Sequence, residues 1–388
     1  MRPLLSARPV SRRCVPGRTA GNKLRMAVGI RVRASGKRLP AEIFDLPIER
    51  MRAGYYSDAY FNFTREALLA DGKHTNVLIQ VFQRRHAVLG GIDEAIAILE
   101  LCSQHWSSLV VQALYDGDEI EPWETVLTIE GDYTEVAHLE TLYLGVLARR
   151  TKIATNVRRV VEAANGKGIL FFPARHDHHR VQTGDGYAAH IAGAIGVSTD
   201  AQASWWGEHG IGTVPHSLIA CYGGDTVLAA RKFTEWAPAD MNVVVLVDFD
   251  NDSVATSLAV ARALGDRLWG VRLDTSSTLV DRSLWTEMEK SGDFAPTGVN
   301  ELLVHRVRDA LDRAGFGRVK IVASGGFDAE KIRAFEASGV PVDFYGVGSS
   351  LMRGQYDFTA DVIMADGRPS AKKGRSLRPN PRLETVSR

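Results

Sequence analysis

The sequence predicts an α/β fold in two parts, in which a small α+β domain precedes a longer run of alternating strands and helices. Two patterns support this prediction. Between residues 76 and 130, apolar and polar side chains alternate, as in strands with one buried face. After residue 165 the apolar runs are short, lack alternation and are separated by helix-length segments, as in parallel strands covered on both faces.

Residues 1–40 are predicted to form a basic, disordered leader outside the fold. This segment holds 11 Lys and Arg residues and no acidic residue. A transit peptide and a translation start at Met26 are the alternatives. The other residues then carry 36 basic and 46 acidic side chains, a net charge of −10. Because nucleic-acid binding needs clustered cations, this acidic body favours a small-molecule enzyme over a nucleic-acid partner.

Membrane and disulfide classes are also excluded by the sequence. No apolar run approaches the roughly 18 residues that a membrane-spanning helix needs. The three cysteines, Cys14, Cys102 and Cys221, are scattered and odd in number, so they indicate neither a disulfide framework nor a CxxC motif. We therefore expect a cytoplasmic protein without a membrane partner.

The first domain is predicted over residues 41–150. A helix is expected at 61–69, and the alternating runs 76–83, 109–114 and 119–130 predict strands of an antiparallel sheet. A long helix is expected at 135–164, because leucines and other apolar residues recur there at helical spacing. Asn165 and Gly166 would end it.

The second domain is predicted over residues 151–352, followed by a tail at 353–388. Its strands are expected at 169–172, 243–247, 268–273, 319–323 and 343–347, and helices at 252–264, 300–314 and 328–337. Alternating strands and helices imply right-handed crossovers and a parallel sheet, and the length admits an irregular eight-fold barrel. In the tail, residues 358–364 could add a strand.

Polar residues follow nearly every strand of the second domain. Arg175 and Asp177 follow the first strand, Asp248 and Asp250 the second, and Arg272 and Asp274 lie at the end of the third. Any one of these could be a helix cap or a solvated charge. Because the carboxyl ends of parallel strands open on one face of a barrel, we expect the set to converge on one site.

Two glycine loops after the last strands suggest phosphate binding. They are Ser324-Gly325-Gly326 and the run from Gly346 through Gly348 and Ser349 to Ser350. Backbone N–H groups in such loops and at helix N-termini bind phosphate, and barrels commonly place that site after their last two strands.

Histidines offer two further readings. His216 lies in a turn framed by Gly212 and Pro215, where it could be a nucleophile, a general base or a hydrogen-bonded structural residue. The cluster His176, His178 and His179 lacks the matched carboxylate or cysteine pattern of a transition-metal site. A polyphosphate substrate would instead bring Mg²⁺, held by acids such as Asp248 or Asp274.

An ordered set of motifs resembles the nicotinate phosphoribosyltransferases, type II phosphoribosyltransferases that also include the nicotinamide enzymes. The set, from about residue 55 to residue 352, comprises Ser57-Asp58-Ala59-Tyr60, Phe172-Pro173-Ala174-Arg175, Gly212-Thr213-x-x-His216-Ser217, Val271-Arg272-Leu273-Asp274, Ser324-Gly325-Gly326 and Gly346-Val347-Gly348. The resemblance implies an irregular, TIM-like parallel α/β barrel packed against an α+β open-faced sandwich, which the N-terminal segment and the returning tail form together. It also implies a homodimer with the active site at the interface.

The implied reaction condenses nicotinate with phosphoribosyl pyrophosphate (PRPP) to nicotinate mononucleotide and pyrophosphate. It is a ligase-type reaction in NAD salvage, with ATP as co-substrate and Mg²⁺ as cofactor. By this resemblance His216 is phosphorylated, Asp248 and Asp274 act near the ribose, pyrophosphate and Mg²⁺, and Phe172, Arg175, Thr213 and Arg272 bind substrate. Tyr60 would come from the partner subunit. The 5′-phosphate cradle would comprise Ser324, Gly325, Gly326, Gly346, Gly348 and Ser349.

Alternatives remain open at this point. Asp200 lies near a position where the nicotinamide-using relatives carry an acid that accepts the amide N–H, so a nicotinamide phosphoribosyltransferase is the second reading; Asp200 could equally cap a helix. A non-catalytic nucleotide-binding barrel and another phosphate-binding barrel enzyme, such as an aldolase or isomerase, are the others. No strand-end lysine supports an aldolase.

Overall fold

The computed structural model describes residues 38–288 and 296–386, and its two large sheets confirm the predicted α/β class. The predicted leader lies outside the described residues up to position 37. Its last residues are held against the first domain, because Arg38 and the backbone N–H of Leu39 both bind the buried carboxylate of Asp93, each at 2.9 Å.

The first domain is built on an antiparallel sheet of order β13-β12-β1-β5-β3-β14. Its strands are β1 (Asn76–Gln83), β3 (Val110–Ala113), β5 (Thr125–Asp132), β12 (Phe358–Ala365), β13 (Arg368–Pro369) and β14 (Glu384–Thr385). A separate ribbon pairs β2 (Ala87–Val88) with β4 (Glu119–Ile120). The domain's helices are α1 (Ile48–Arg52), α2 (Ala59–Ala70), α3 (Ile92–Cys102) and α4 (Tyr133–Val136).

The tail returns to this sheet. Strand β12 pairs antiparallel with β1, and β14 pairs antiparallel with β3. Val77, Ile79 and Val81, along one face of β1, are buried in the first-domain core together with side chains of α3. Gln80 and Phe82, on the other face, are buried as well, so β1 lacks the exposed face that the alternating pattern predicts.

One long helix, α5 (Glu140–Ala163), crosses the predicted domain boundary at residue 150. Its N-terminal half packs on the first domain and its C-terminal half on the barrel core. The hydroxyls of Thr151 and Thr155 accept hydrogen bonds from the backbone N–H groups of Gly90 and Val88, at 3.1 and 3.0 Å. These bonds tie α5 to the first domain.

The second domain is a parallel sheet of order β7-β6-β11-β10-β9-β8. Its strands are β6 (Gly168–Phe171), β7 (Gly196–Val197), β8 (Val243–Leu246), β9 (Leu268–Leu273), β10 (Lys320–Ala323) and β11 (Phe344–Val347). The helices are α6 (Gln182–Ile191), α7 (Asp200–Ala203), α8 (His216–Cys221), α9 (Thr226–Trp236), α10 (Ser253–Leu264), α11 (Trp285–Met288), α12 (Glu301–Arg313) and α13 (Ala329–Ala337).

A short irregular segment closes this sheet into a barrel. The backbone N–H of Ile211 donates to Val197 O on β7 at 2.7 Å, and that of Val214 donates to Val244 O on β8 at 2.9 Å. Because β7 and β8 are the two edges of the sheet, the segment joins them. The result is the irregular barrel that the sequence predicts.

Apolar side chains fill the barrel interior beneath the carboxyl ends of its strands. Leu170, Val244 and Val322 form this layer, and partly buried aromatic and aliphatic residues including Phe172 and Ile211 pack against them. A methyl group at Gly196 would lie 2.1 Å from Ile211 Cδ1, so the layer needs glycine there. Within the described ranges, no helix combines the length and apolar character required to cross a membrane.

Candidate active site

Polar side chains gather where β8, β9 and β10 end. The three strands are neighbours in the sheet and run parallel, so Asp248, Asp274 and Ser324, which follow them directly, emerge side by side. The predicted convergence on the carboxyl end of the barrel therefore holds for these positions.

Arg272 is the centre of this cluster. Its Nε donates to Ser324 Oγ at 2.8 Å, and its Nη2 donates to Asp274 Oδ2 at 3.1 Å. Its Nη1 lies 3.5 Å from Thr213 Oγ1 on the closing segment. The guanidinium also faces the Phe172 ring, 5.1 Å from the ring centre. Arg272 thus connects four predicted site residues across the barrel.

His216 and Asp248 form a second pair at this end. His216 is the first residue of α8, and its Nε2 lies 3.1 Å from Asp248 Oδ1. The imidazole is half exposed, whereas the Asp248 side chain is only 7% exposed. Burial raises the pKa of Asp248, and the charge of Asp274 raises it further, while His216 opposes the shift. Two acids therefore share one poorly solvated region.

The first glycine loop opens at the end of β10. Gly325 and Gly326 have φ values of +85° and +74°, conformations that favour glycine. Asp328 then caps α13, its carboxylate accepting hydrogen bonds from the N–H groups of Glu330 and Lys331. The second glycine loop contacts the first, because Ser350 Oγ donates to Phe327 O at 2.8 Å.

The second glycine loop packs against the end of β6. A methyl group at Gly346 would lie 2.7 Å from the Phe172 ring, so this glycine makes room for that ring. At Gly348, a methyl group would lie 3.1 Å from His176 Cε1. The structure therefore places His176 at the predicted phosphate cradle. Ser349 is exposed and begins the 3-10 turn Ser349–Met352, for which Gly348 is the N-cap residue.

Arg175 lies on an exposed 3-10 turn, Ala174–His176, that follows Phe172. Within residues 38–288 and 296–386, its guanidinium has neither a hydrogen bond nor an ion pair. By contrast, Arg272 is already paired with Asp274. Of these two predicted substrate arginines, Arg175 is the one free to neutralise a ligand's negative charge.

Asp200 is engaged away from this cluster. The helix cap is Thr199, whose hydroxyl accepts from the Gln202 N–H, and Asp200 is the first helical residue. Asp200 Oδ1 accepts from the Gly210 N–H at 2.9 Å and lies 3.5 Å from His209 Nδ1. Its carboxylate therefore holds the start of the segment that closes the barrel.

Tyr60 lies on α2 in the first domain. Its ring packs on Phe61 with centres 4.3 Å apart and is 60% exposed. No hydrogen bond, ion pair or ring contact among the described residues joins it to the barrel mouth of its own chain. Exposed Tyr55, Tyr56 and Phe63 lie near it in the sequence.

The described residues contain no cluster of three or more His, Cys, Asp or Glu arranged to hold a metal ion. His178 and His179 stack on each other with ring centres 4.2 Å apart, while His176 faces Gly348 instead. Sequence reasoning misses Ser198, which directly follows β7 and whose Oγ donates to Gln202 Oε1 at 3.1 Å. A strand of two residues is too short to be recognised from its pattern.

Comparisons with known proteins identify relatives along most of the chain. A family model described as the N-terminal domain of quinolinate phosphoribosyl transferase matches residues 58–151. A nicotinate phosphoribosyltransferase of Mycobacterium tuberculosis is 30% identical over 359 residues, covering 83% of this chain and 75% of that protein.

Solved structures agree with this match. A nicotinate-nucleotide pyrophosphorylase from Pyrococcus furiosus superimposes with a TM-score of 0.75 at 32% identity, covering 88% of this chain and 85% of that one. The human nicotinic acid phosphoribosyltransferase shares the fold, with a TM-score of 0.58 at 17% identity, covering 81% of this chain and 75% of that one. The chain therefore belongs to the nicotinate phosphoribosyltransferase family, whose members are transferases of NAD biosynthesis.

Proposed function

We propose that this protein condenses nicotinate with PRPP to give nicotinate mononucleotide and pyrophosphate, coupled to ATP hydrolysis. One observation carries the proposal above the others: Phe172 and Arg272 face each other at the barrel mouth, and the exposed turn that follows Phe172 carries Arg175, whose guanidinium has no partner among the described residues. A flat aromatic ring fits against Phe172 and Arg272, and a single carboxylate fits Arg175.

The charges of the candidate site favour nicotinate over quinolinate and nicotinamide. Nicotinate carries one carboxylate, for which we propose Arg175 as the cation, whereas quinolinate carries two. Nicotinamide would benefit from an acid that accepts its amide N–H, but Asp200 is bound to Gly210 and His209. Because an unpaired buried polar group costs about 1–3 kcal/mol, these differences are large enough to select among the three pyridines.

The acids suit the reaction at C1 of the ribose. Displacement of pyrophosphate develops positive charge on the sugar, and the fixed carboxylates of Asp248 and Asp274 stabilise it. Burial, and to a smaller extent the charge of Asp274, raises the pKa of Asp248, and a bound divalent cation would offset both. Both acids could hold Mg²⁺, which when bound would neutralise the pyrophosphate leaving group.

His216 is the residue that we propose couples ATP hydrolysis. Donation of its Nε2–H to Asp248 leaves the lone pair on Nδ1, and Asp248 then stabilises the cationic imidazole as it forms. The nucleophilic nitrogen would take the γ-phosphoryl group of ATP and release ADP. Hydrolysis of the phosphoimidazole then returns free His216 and phosphate.

The active site is proposed to be completed by a second copy of the chain. Tyr60 and its exposed aromatic neighbours make no contact with their own barrel mouth, which fits a side chain donated to the partner. The glycine loops, with Ser324, would hold the 5′-phosphate through backbone N–H groups at the start of α13.

The test is an assay of the purified protein with PRPP and Mg²⁺, with and without ATP, against nicotinate, nicotinamide and quinolinate. We expect nicotinate mononucleotide from nicotinate, formed faster with ATP and with release of ADP. Faster turnover of nicotinamide would support the nicotinamide enzyme. Release of CO₂ from quinolinate would support a carboxylating enzyme. No turnover of any pyridine, with nucleotide binding retained, would support a non-catalytic barrel.

A further inference from the structure

Two adjacent arginines of α5 share one buried acid behind the barrel mouth. Arg149 binds Asp185 of α6 through Nε and Nη2, at 2.9 and 2.8 Å, and Arg150 Nη1 binds the same carboxylate at 2.8 Å. Each arginine also reaches a second acid. Arg150 binds Glu94 of α3 at 3.0 Å, and Arg149 Nη2 binds Asp177 at 2.7 Å.

These contacts run from the first domain to the turn that carries Arg175. Glu94 belongs to the first domain, α5 and α6 form the wall of the barrel, and Asp177 directly follows the turn Ala174–His176. Asp185 is 3% exposed, so the inner part of the network is rigidly enclosed. Asp177 lies at its exposed end, where hydrogen bonding to Arg149 lowers the pKa of Asp177.

The turn has few other attachments. At its start, the backbone N–H of Phe172 donates to Val347 O at 2.8 Å. In its middle, Gln182 Nε2 donates to Ala174 O at 3.2 Å. At its end, Asp177 binds Arg149 of α5 at 2.7 Å, the one hydrogen-bonded ion pair between this turn and α5 among the described residues, and the charge of Lys152 acts on Asp177 as well. Arg175 itself has no partner and takes its orientation from the turn.

We propose that Arg149 is a positioning residue for substrate binding, which acts through Asp177 to fix the turn that presents Arg175 and His176 to the mouth. Arg149 touches no substrate in this scheme. Its ion pair reduces the freedom of the turn, so that Arg175 meets the pyridine carboxylate without an ordering cost on binding. The substrate assignment in this step rests on the proposed function.

The first variant is Asp177→Asn. Asparagine keeps the oxygen that accepts the His178 N–H at 2.7 Å, and Asp185 keeps both its arginines. The change removes the negative charge that binds Arg149 and that also attracts Lys152 of α5. The matched control is Asp266→Asn. Asp266 binds Arg318 at 2.8 Å just before β9 begins, at the opposite end of the barrel.

Two readouts are needed. We expect Asp177→Asn to raise KM for nicotinate about tenfold or more, the scale of a misplaced binding group, with a smaller change in kcat. We also expect faster amide hydrogen exchange across residues 174–178, measured without substrate. Asp266→Asn should change neither quantity.

A second pair of variants tests the arginine itself. Arg149→Met should show both effects, together with any effect of losing its two bonds to Asp185. Adding Asp177→Asn to it should cost nothing more, because the bond between Arg149 and Asp177 is already absent. Arg158→Met is the control, since Arg158 lies on the same helix at similar exposure and binds Ala192 O and Glu119 instead. If Arg149→Met fails to fold, the KM and the amide exchange of Asp177→Asn are sufficient to test the proposal.

Three results would overturn the proposal: an unchanged KM in Asp177→Asn, a raised KM without faster exchange, or a loss of kcat and thermal stability at constant KM. The exchange measurement needs no turnover. If the wild-type protein does not use nicotinate but Asp177→Asn still shows faster amide exchange, Arg149 holds the turn as proposed. Only the proposed function is then rejected.

Discussion

The guanidinium of Arg272 lies 5.1 Å from the centre of the Phe172 ring, across the open end of the barrel. The two residues come from strands that are not neighbours, so only the closed sheet brings them together. Together they form the surface against which we place the pyridine ring.

Replacement of Arg272 should be costly. Arg272→Ala removes the guanidinium that faces Phe172 and leaves the carboxylate of Asp274 without its cation. We expect kcat/KM for nicotinate to fall by a factor that corresponds to about 2–5 kcal/mol of lost transition-state stabilisation. This is the range for truncating one member of a hydrogen-bonded charge pair. Steady-state kinetics measure it, with Arg158→Ala as a control of the same chemistry. Wild-type turnover in Arg272→Ala would remove that residue from the site.

Replacement of His216 should separate the two halves of the reaction. His216→Ala keeps Arg272, Phe172 and the glycine loops, so we expect slow formation of mononucleotide from PRPP to persist. The acceleration by ATP and the release of ADP should disappear, and no acid-labile phosphoprotein should form from labelled ATP. If ATP stimulates this variant as it does the wild type, His216 is not the coupling residue.

The stability of the first domain should depend on the ionisation of Glu140. Burial, with the nearby charges of Asp361 and Asp58, raises the pKa of Glu140 from 4.5 to about 7. The folded protein then holds this proton more tightly than the unfolded chain, so the free energy of unfolding falls as the pH rises from about 4.5 to 7. Above about pH 7 this contribution to the free energy of unfolding is fully lost.

Glu140→Gln removes this titration. We expect it to raise the free energy of unfolding at pH 8 by at most roughly 3 kcal/mol and to have no such effect at pH 4, where the native acid is protonated. Urea titrations at the two pH values measure the difference. Glu162→Gln, at an exposed position of the same helix, serves as the control. A gain that is equal at both pH values would contradict the assignment.

Two glycines should respond to alanine in opposite directions. A methyl group at Gly184 would lie 2.0 Å from Arg150 Cζ, and Arg150 is fixed by two acids. We expect Gly184→Ala to destabilise the protein by about 1–3 kcal/mol or more. Gly145, inside α5, has no atom within 4 Å of such a methyl group. Gly145→Ala should stabilise by about 0.5–1 kcal/mol. Thermal unfolding of both variants tests the contrast.

The regular parts of the fold were predictable because their patterns are local. Strand β9 has the predicted bounds at 268–273, and α10, α12 and α13 differ from prediction only at their ends. The predicted strand at 119–130 is instead two strands. Pro122 and Trp123, the latter with a φ of +70°, form a turn between them. The helical segment predicted from residue 135 is present but divided, because α4 and the 3-10 turn Ala137–Leu139 precede α5, which begins at Glu140.

The site was predictable where it depends on strand ends and was not where it depends on distant packing. Asp248, Arg272 and Ser324 follow from the parallel sheet alone. The closing segment at 211–214 was missed because it pairs through single residues in a glycine-rich stretch. Arg149 was missed because nothing in a helical pattern shows which acids a side chain will reach. The capping role suggested for Asp200 belongs to its neighbour Thr199, whose side chain accepts the helix N–H.

The pairing of β12 and β14 with the two outer strands of the β1-β5-β3 group has a consequence for biosynthesis. Residues 76–132 supply β1, β3 and β5, yet the edges of β1 and β3 are covered only by residues 358–385. While the barrel is being translated, both edges can pair with other chains. A ribosome that stops before residue 358 would therefore release a protein with an intact barrel and an aggregation-prone first domain.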